Sequence, residues 1–332
     1  MKSLFPTLPI LLLSCLLGMP AQAKPRDVWA EYTIATIHRL GEDPRVTAFN
    51  AGVAKAIPPL EEEYHLDITY LTRGPREGTI AEQQKYVREL YGEGVRGFLV
   101  HSATKQDRVP LENSPEAQFF SYLGLLSRVN APHVAFVQPM AATAETSATV
   151  TIDEATSGRI AAEALIRTLG RFERNVAILA GPADESVMQA RLQAAQKAIS
   201  DSSKADLFGI YHTEPNVDAA LQTLRAAMAA DQNKAIDAWL FLGPWPLMHP
   251  QPLPYDATKI KTVAVEALPV SLPFLARGEV QAIVALPYYD LGEISATLLI
   301  QTMHLKEAPK PARVVLQPHL VDQTNWQELF RD

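Results

Sequence analysis

The chain has 332 residues, 30 of them Lys or Arg and 37 Asp or Glu, for a formal net charge of −7. That acidic balance argues against nucleic acid or an anionic membrane surface as a partner. One cysteine, Cys15, leaves no intrachain disulfide and no thiolate metal site to expect.

The N-terminus carries the first readable signal. Met1–Lys2 is a short basic start, and residues 4–17 form an apolar run interrupted by Pro6 and Pro9. Ala21-Gln22-Ala23 then places small residues where a signal peptidase reads them. The expectation is a secretory signal over residues 1–23, cleaved before Lys24, which puts the mature chain in the periplasm, away from ATP, NAD and DNA. An uncleaved membrane anchor is the competing reading, but the run is short of the roughly 20 apolar residues that span a bilayer. A lipobox at Leu12-Leu13-Ser14-Cys15 is another. It would make Cys15 a lipidated first residue followed by an unusually apolar tether. Cleavage after Ala23 leaves 309 residues with 29 basic and 37 acidic side chains, a net charge of −8. That length suggests two lobes, and it buries enough surface without staples.

From residue 32 onward strands alternate with helices. Tyr32–Ile37 reads as a buried strand, and Val46, Phe49, Val53, Ile57 and Leu60 follow as one helical stripe. Leu66–Leu71 is a strand. Thr79–Gly92 is a helix with Thr79 as N-cap and Glu82 completing a capping box. Strand Gly97–Val100, helix Pro115–Val129 and strand His133–Val137 complete a first run. The pattern restarts with Thr149–Ile152, helix Ala155–Leu169, strand Asn175–Leu179, helix Glu185–Ser200, strand Leu207–Tyr211 and helix Val217–Ala230. Strands Ala238–Phe241, Thr262–Val265 and Val280–Leu286 precede a last helix, Leu291–Leu305. Such alternation implies parallel βαβ units, here an α/β fold of two doubly wound parallel-sheet lobes. Gly243–Pro254 breaks the rhythm, with five prolines that no helix interior tolerates. It reads as a stiff extended loop, either a surface loop or a wall carrying Trp245 at a strand end.

Motifs for catalysis or cofactors are not what this chain offers. Gly92-Glu93-Gly94-Val95-Arg96-Gly97 matches a dinucleotide fingerprint, but it follows a helix and leads into a strand, so it reads as a helix stop and turn. There is no P-loop, no zinc-type His pair and no nucleophile elbow. The expectation is a monomeric, non-enzymatic chain without cofactor or metal. What remains is a set of polar and aromatic residues just after strands. His38, Arg39 and Arg45 follow the first strand, Thr104 the third and Gln138 the fourth. Gln189 and Arg191 lie on the helix after Asn175–Leu179, Glu266 follows Thr262–Val265, and Tyr288 follows Val280–Leu286. Two sheets facing each other would bring these groups to one cleft, where α/β sheets bind ligands.

Several phrases carry a family resemblance over residues 32–321. Val129-Asn130-Ala131-Pro132-His133-Val134 is similar to "ANIPV", and Thr151-Ile152-Asp153 with Gly158-Arg159-Ile160-Ala161-Ala162 resembles "SDN…GGKIAG". Gly181 to Arg191 resembles "G…SAARERG", and Arg277-Gly278-Glu279-Val280-Gln281-Ala282 resembles "xGKLxAT". The chain thus resembles the periplasmic sugar-binding proteins of the ribose-binding type, a type I solute-binding fold. The resemblance aligns Gln138, Gln189, Arg191 and Glu266 with ligand-binding positions, of which Arg191 and Glu266 keep similar chemistry. It implies three chain crossings, near residues 152–153, 286–287 and 315–317, which divide the chain into lobes of 24–152 plus 287–315 and 153–286 plus 316–332, and closure of those lobes on a ligand. Two functions follow as expectations. One is a receptor that delivers a small, sugar-like solute to a membrane ABC permease. The other is a sensory receptor whose closed form a membrane histidine kinase reads.

Overall fold

The computed structural model describes residues 30–41, 43–104 and 110–327. The signal, anchor and lipobox readings lie outside the described residues.

The first lobe is built on β1 (Ala30–Ile37), β2 (Leu66–Arg73), β3 (Gly97–Val100), β4 (His133–Val137) and β5 (Ala148–Ile152). Between them run α1 (Pro44–Tyr64), α2 (Ile80–Gly92) and α3 (Pro115–Arg128). The second lobe is built on β6 (Arg174–Ala180), β7 (Ala205–His212), β8 (Ala238–Phe241), β9 (Lys261–Val265) and β10 (Ala282–Ala285). Its helices are α4 (Glu154–Thr168), α5 (Ser186–Ser200), α6 (Val217–Ala230) and the short α7 (Leu272–Ala276). α8 (Tyr288–Leu305) then returns to pack against α1 and the first sheet, and two short strands follow, β11 (Arg313–Leu316) and β12 (His319–Asp322).

The sheets run β2-β1-β3-β4-β5-β11 and β7-β6-β8-β9-β10-β12. The two orders are the same, each completed by one of the two terminal strands. Strands such as Gly97–Val100 and Ala238–Phe241 are buried at every position, as covering both faces of a parallel sheet requires. All pairings are parallel except β10 with β12, which is antiparallel and departs from the all-parallel expectation. Only Gln317 and Pro318 separate β11 from β12.

Most expected elements stand where the apolar pattern placed them. α2 ends at Gly92, and Gly94 turns the chain with φ 102° before β3. Thr79 caps α2 through Glu82 N–H, while the Glu82 carboxylate accepts from the Thr79 hydroxyl instead of the backbone. Two readings need correction, and three short elements were not foreseen. The last helix starts at Tyr288, not Leu291, because Pro287 occupies the N-cap and leaves Tyr288, Tyr289 and Asp290 in the first turn. The proline-rich segment is not extended at its start. Trp245–Leu247 makes a buried 3₁₀ turn with Leu247 N–H bonded to Pro244 O. Finally, α7, β11 and β12 are too short to produce a periodic signal.

Helix spacing in each lobe is set by close contact at glycine. A Cβ on Gly52 of α1 would lie 1.9 Å from the Tyr289 carbonyl oxygen, and one on Gly292 of α8 would lie 2.0 Å from that of Phe49. In the second lobe Gly158 of α4 meets Arg191 O of α5 in the same way, at 2.0 Å. These approaches bring the N-terminal turns of α1, α8, α4 and α5 to the region between the sheets.

Candidate ligand cleft between the lobes

A cavity of about 240 Å³ lies between the lobes and draws its lining from both. First-lobe residues His38, Arg39, Arg45, Phe49, His101, Phe136 and Gln138 face second-lobe residues Glu154, Glu185, Met188, Arg191, Trp245 and Glu266, with Tyr288 between them. These groups come from the carboxyl ends of the strands and the helix starts that follow.

The deepest feature is an ion network. Arg191 is 2% exposed. Its Nε donates to Glu154 Oε2 at 2.6 Å, Nη1 to Leu242 O at 2.9 Å and Nη2 to Glu266 Oε1 at 2.9 Å. Charge partners of this kind are what allow a guanidinium to be buried. Asp43 caps α1 through Arg45 N–H and also grips the Arg45 side chain through Nε and Nη2. Burial raises the Asp43 carboxyl, but the hydrogen bonds and charge of Arg45 outweigh this and hold it below its usual value. Two ion pairs cross the cleft: Arg39 with Glu185 at 2.7 Å, and Arg45 with Glu266 at 3.5 Å. Tyr288 O–H donates to Glu266 Oε1 at 3.3 Å. Burial, then the negative charge of Glu266, pushes the Tyr288 phenol up, so it stays protonated as a donor.

The first-lobe wall is aromatic. Phe49 and Phe136 stack with centroids 4.0 Å apart, and His38 and His101 pack against Phe136 at 5.9 and 5.4 Å. Burial lowers both imidazoles, and nearby Arg39 and Arg45 lower His101 further, so both rings are neutral at pH 7. Gln83, buried on α2, ties the strand-end loops together. Its Nε2 donates to His38 O and His101 O, and its Oε1 accepts from Ala103 N–H. On the opposite wall the Trp245 ring lies over two glycines. Its Cη2 stands 2.5 Å from where a Cβ would sit on Gly181 and on Gly243, so any side chain there would displace the ring.

Two residues lining this cavity hold positive φ without being glycine: Val137 at 68° and Glu266 at 73°. They end β4 and follow β9, equivalent fourth strands of the two sheets. Such backbone costs roughly 1–3 kcal/mol and persists where surrounding structure over-determines it.

Of the ten residues singled out in the sequence, His38, Arg39, Arg45, Gln138, Arg191, Trp245, Glu266 and Tyr288 line this cavity. Two do not. Gln189 is exposed, its amide turned back to Ala183 O at 2.7 Å. Thr104 lines a second cavity of about 480 Å³ with Thr79, Ser114 and Asp184. The Gln138 amide nitrogen donates to Ser102 O, Thr104 O and Thr104 Oγ1, so it braces the first-lobe loops as well as lining the cavity. Sequence reasoning missed Glu154, Met188 and Phe136. Glu185 had a signal, since it follows Gly181 at a strand end. Among the described residues no group of three or more His, Cys, Asp or Glu side chains is placed to hold a metal ion, and no helix is long and apolar enough to cross a membrane.

The profile of the periplasmic binding protein domain matches residues 126–307 of this chain. No curated protein matches it in sequence. Among solved structures it is similar to an ABC transporter periplasmic solute-binding protein from Actinobacillus succinogenes 130z with bound D-allose. That match has a TM-score of 0.72 at 14% identity and covers 90% of this chain and 99% of that one. A periplasmic ribose ABC transporter protein from Conexibacter woesei also matches with TM-score 0.72 at 14% identity, over 93% of this chain and 97% of that one. A solute-binding protein from Bacillus halodurans C-125 with bound myo-inositol gives 0.69 at 12%, over 91% and 98%. At these identities the likeness is one of fold.

Proposed function

This chain belongs to the periplasmic binding protein domain family, and from that premise we propose that it captures one small polar solute between its lobes and presents it to a membrane ABC permease. The observation that carries the reading is the cavity of about 240 Å³ enclosed by groups from both sheets' carboxyl ends. Solved structures of like fold are described as ABC transporter proteins, two with D-allose or myo-inositol bound. This favours transport over sensing and makes sugar-like solutes the first class to test. In this reading the chain is exported by a signal cleaved after Ala23, acts as a monomer without catalysis, and is divided at residues 152–153, 286–287 and 315–316. Glu266, Arg191 and Tyr288 hold the solute's polar groups while Trp245 and Phe136 cover its apolar face.

The test is a thermal-shift screen of the exported chain against sugars, polyols, amino acids and small amines, followed by solution scattering. A solute at 100 times its Kd should stabilise the fold by about 2.7 kcal/mol, and saturation should shrink the radius of gyration. Binding with an unchanged radius would refute capture by lobe closure.

A further inference from the structure

Among the described residues four carboxylates line the cleft, those of Asp43, Glu154, Glu185 and Glu266, against three guanidiniums, those of Arg39, Arg45 and Arg191. The pairing leaves one acid short. Arg39 is taken by Glu185, and Arg45 is gripped through two nitrogens by Asp43. Arg191 is shared by Glu154 and Glu266. Glu266 Oε2 keeps only a 3.5 Å contact with Arg45 among the described residues, although its side chain is 3% exposed. Four carboxylates against three guanidiniums leave one negative charge in the cleft without a counter-charge of its own, which is costly where it is buried. The neutral His38 and His101 across the cleft do not supply one. Phe136, Trp245 and Tyr288 line the same cavity, and aromatic rings attract cations.

We infer that the solute of this cleft is a small monocation, a protonated or quaternary nitrogen on a compact body, with the charge set against Glu266 Oε2 and the aromatic faces. The inference rests on the solute-capture reading and names the charge of what is captured. Bound there, the cation brings the cleft to neutrality and replaces the weak Arg45 contact.

Calorimetric titration of the exported chain against two matched pairs tests it: glucosamine with glucose, and choline with its uncharged isostere 3,3-dimethyl-1-butanol, at pH 7 and low salt. At least one cation should bind about tenfold or more tighter than its neutral twin. A preference within the glucosamine pair alone assigns the charge to hydrogen bonding at the carboxylate; a preference within the choline pair assigns it to the rings. Glu266→Gln should erase the margin. If that variant does not fold, Trp245→Leu should reduce the choline margin several-fold. Neutral twins binding as tightly as the cations, or no binding by any of the four, overturns the inference. Glucose as the only binder of the four, with a smaller radius of gyration, overturns it while leaving solute capture intact. A cation that binds without shrinking the radius supports it and counts against capture by closure.

Discussion

Arg191 joins three acceptors from three different elements, so its loss should be felt by the whole second lobe. Arg191→Met strands the Glu154 and Glu266 carboxylates in a dry site and should destabilise the fold by about 3–5 kcal/mol, read as a lower urea midpoint. A midpoint within error of the parent would show that the network contributes little. His133 gives a pH signature of its own. Burial lowers its imidazole from 6.5 to about 4, and the ring sits between Ser127 Oγ at 3.1 Å and Thr146 Oγ1 at 3.2 Å. Because the unfolded chain binds that proton more readily, the contribution is complete above pH 6.5. It is lost as pH falls towards 4, for a change on the order of 3 kcal/mol. Denaturation midpoints at pH 7, 5.5 and 4.5 should fall more steeply for the parent than for His133→Asn; parallel curves would exclude this origin. Glu266 was legible in the sequence because it follows a strand, and Arg191 because it lies on the helix after one, at a position that the family resemblance aligns with ligand binding. Glu154 was not, since an acid in the first turn of a helix ordinarily faces water and the helix dipole. Only the packing of α4 on α5 buries it against Arg191.

At the scale of elements, α1 and α8 are held together by reciprocal glycines, and their first turns carry Arg45 and Tyr288 to the same carboxylate. Gly52→Ala has nowhere to place its methyl group and should lower the melting temperature by many degrees. Gly92→Ala, at the exposed end of α2 with nothing within 4 Å, should be neutral or stabilise by about 0.4–1 kcal/mol. Scanning calorimetry of both variants checks this contrast, and equal effects would contradict the close-approach argument. The long helices and buried strands were readable because their periods repeat several times. The helix packing was not, since a lone glycine in a helix looks like a weak spot until its neighbour is known. The proline-rich segment misled for a related reason. Proline forbids a helix interior but fits the first turn of a 3₁₀ element, and only the pocket over Gly181 and Gly243 buries Trp245.

At the scale of the molecule, the lobes are bridged by Arg39 with Glu185 and by Arg45 with Glu266. The partly exposed Arg39–Glu185 pair is worth roughly 0–1 kcal/mol and Arg45–Glu266 is a long 3.5 Å contact, together enough to bias a balanced hinge without locking it. Glu185→Ala should therefore raise the radius of gyration of the solute-free protein, and 0.5 M salt should do the same to the parent. An unchanged scattering curve in both would mean that the hinge, not the pairs, sets the solute-free geometry. The same sheet order also decides when either lobe is finished. The first sheet is closed by β11 and its helical cover by α8, both made after the second lobe, and the second sheet waits for β12. A chain that forms from its N-terminus thus has its first lobe lacking an edge strand and a helix until the second lobe is made. Neither half gains its full set of neighbours until the last few dozen residues arrive. Long-range pairing of this kind slows folding, so a chaperone has a window in which to hold the chain open.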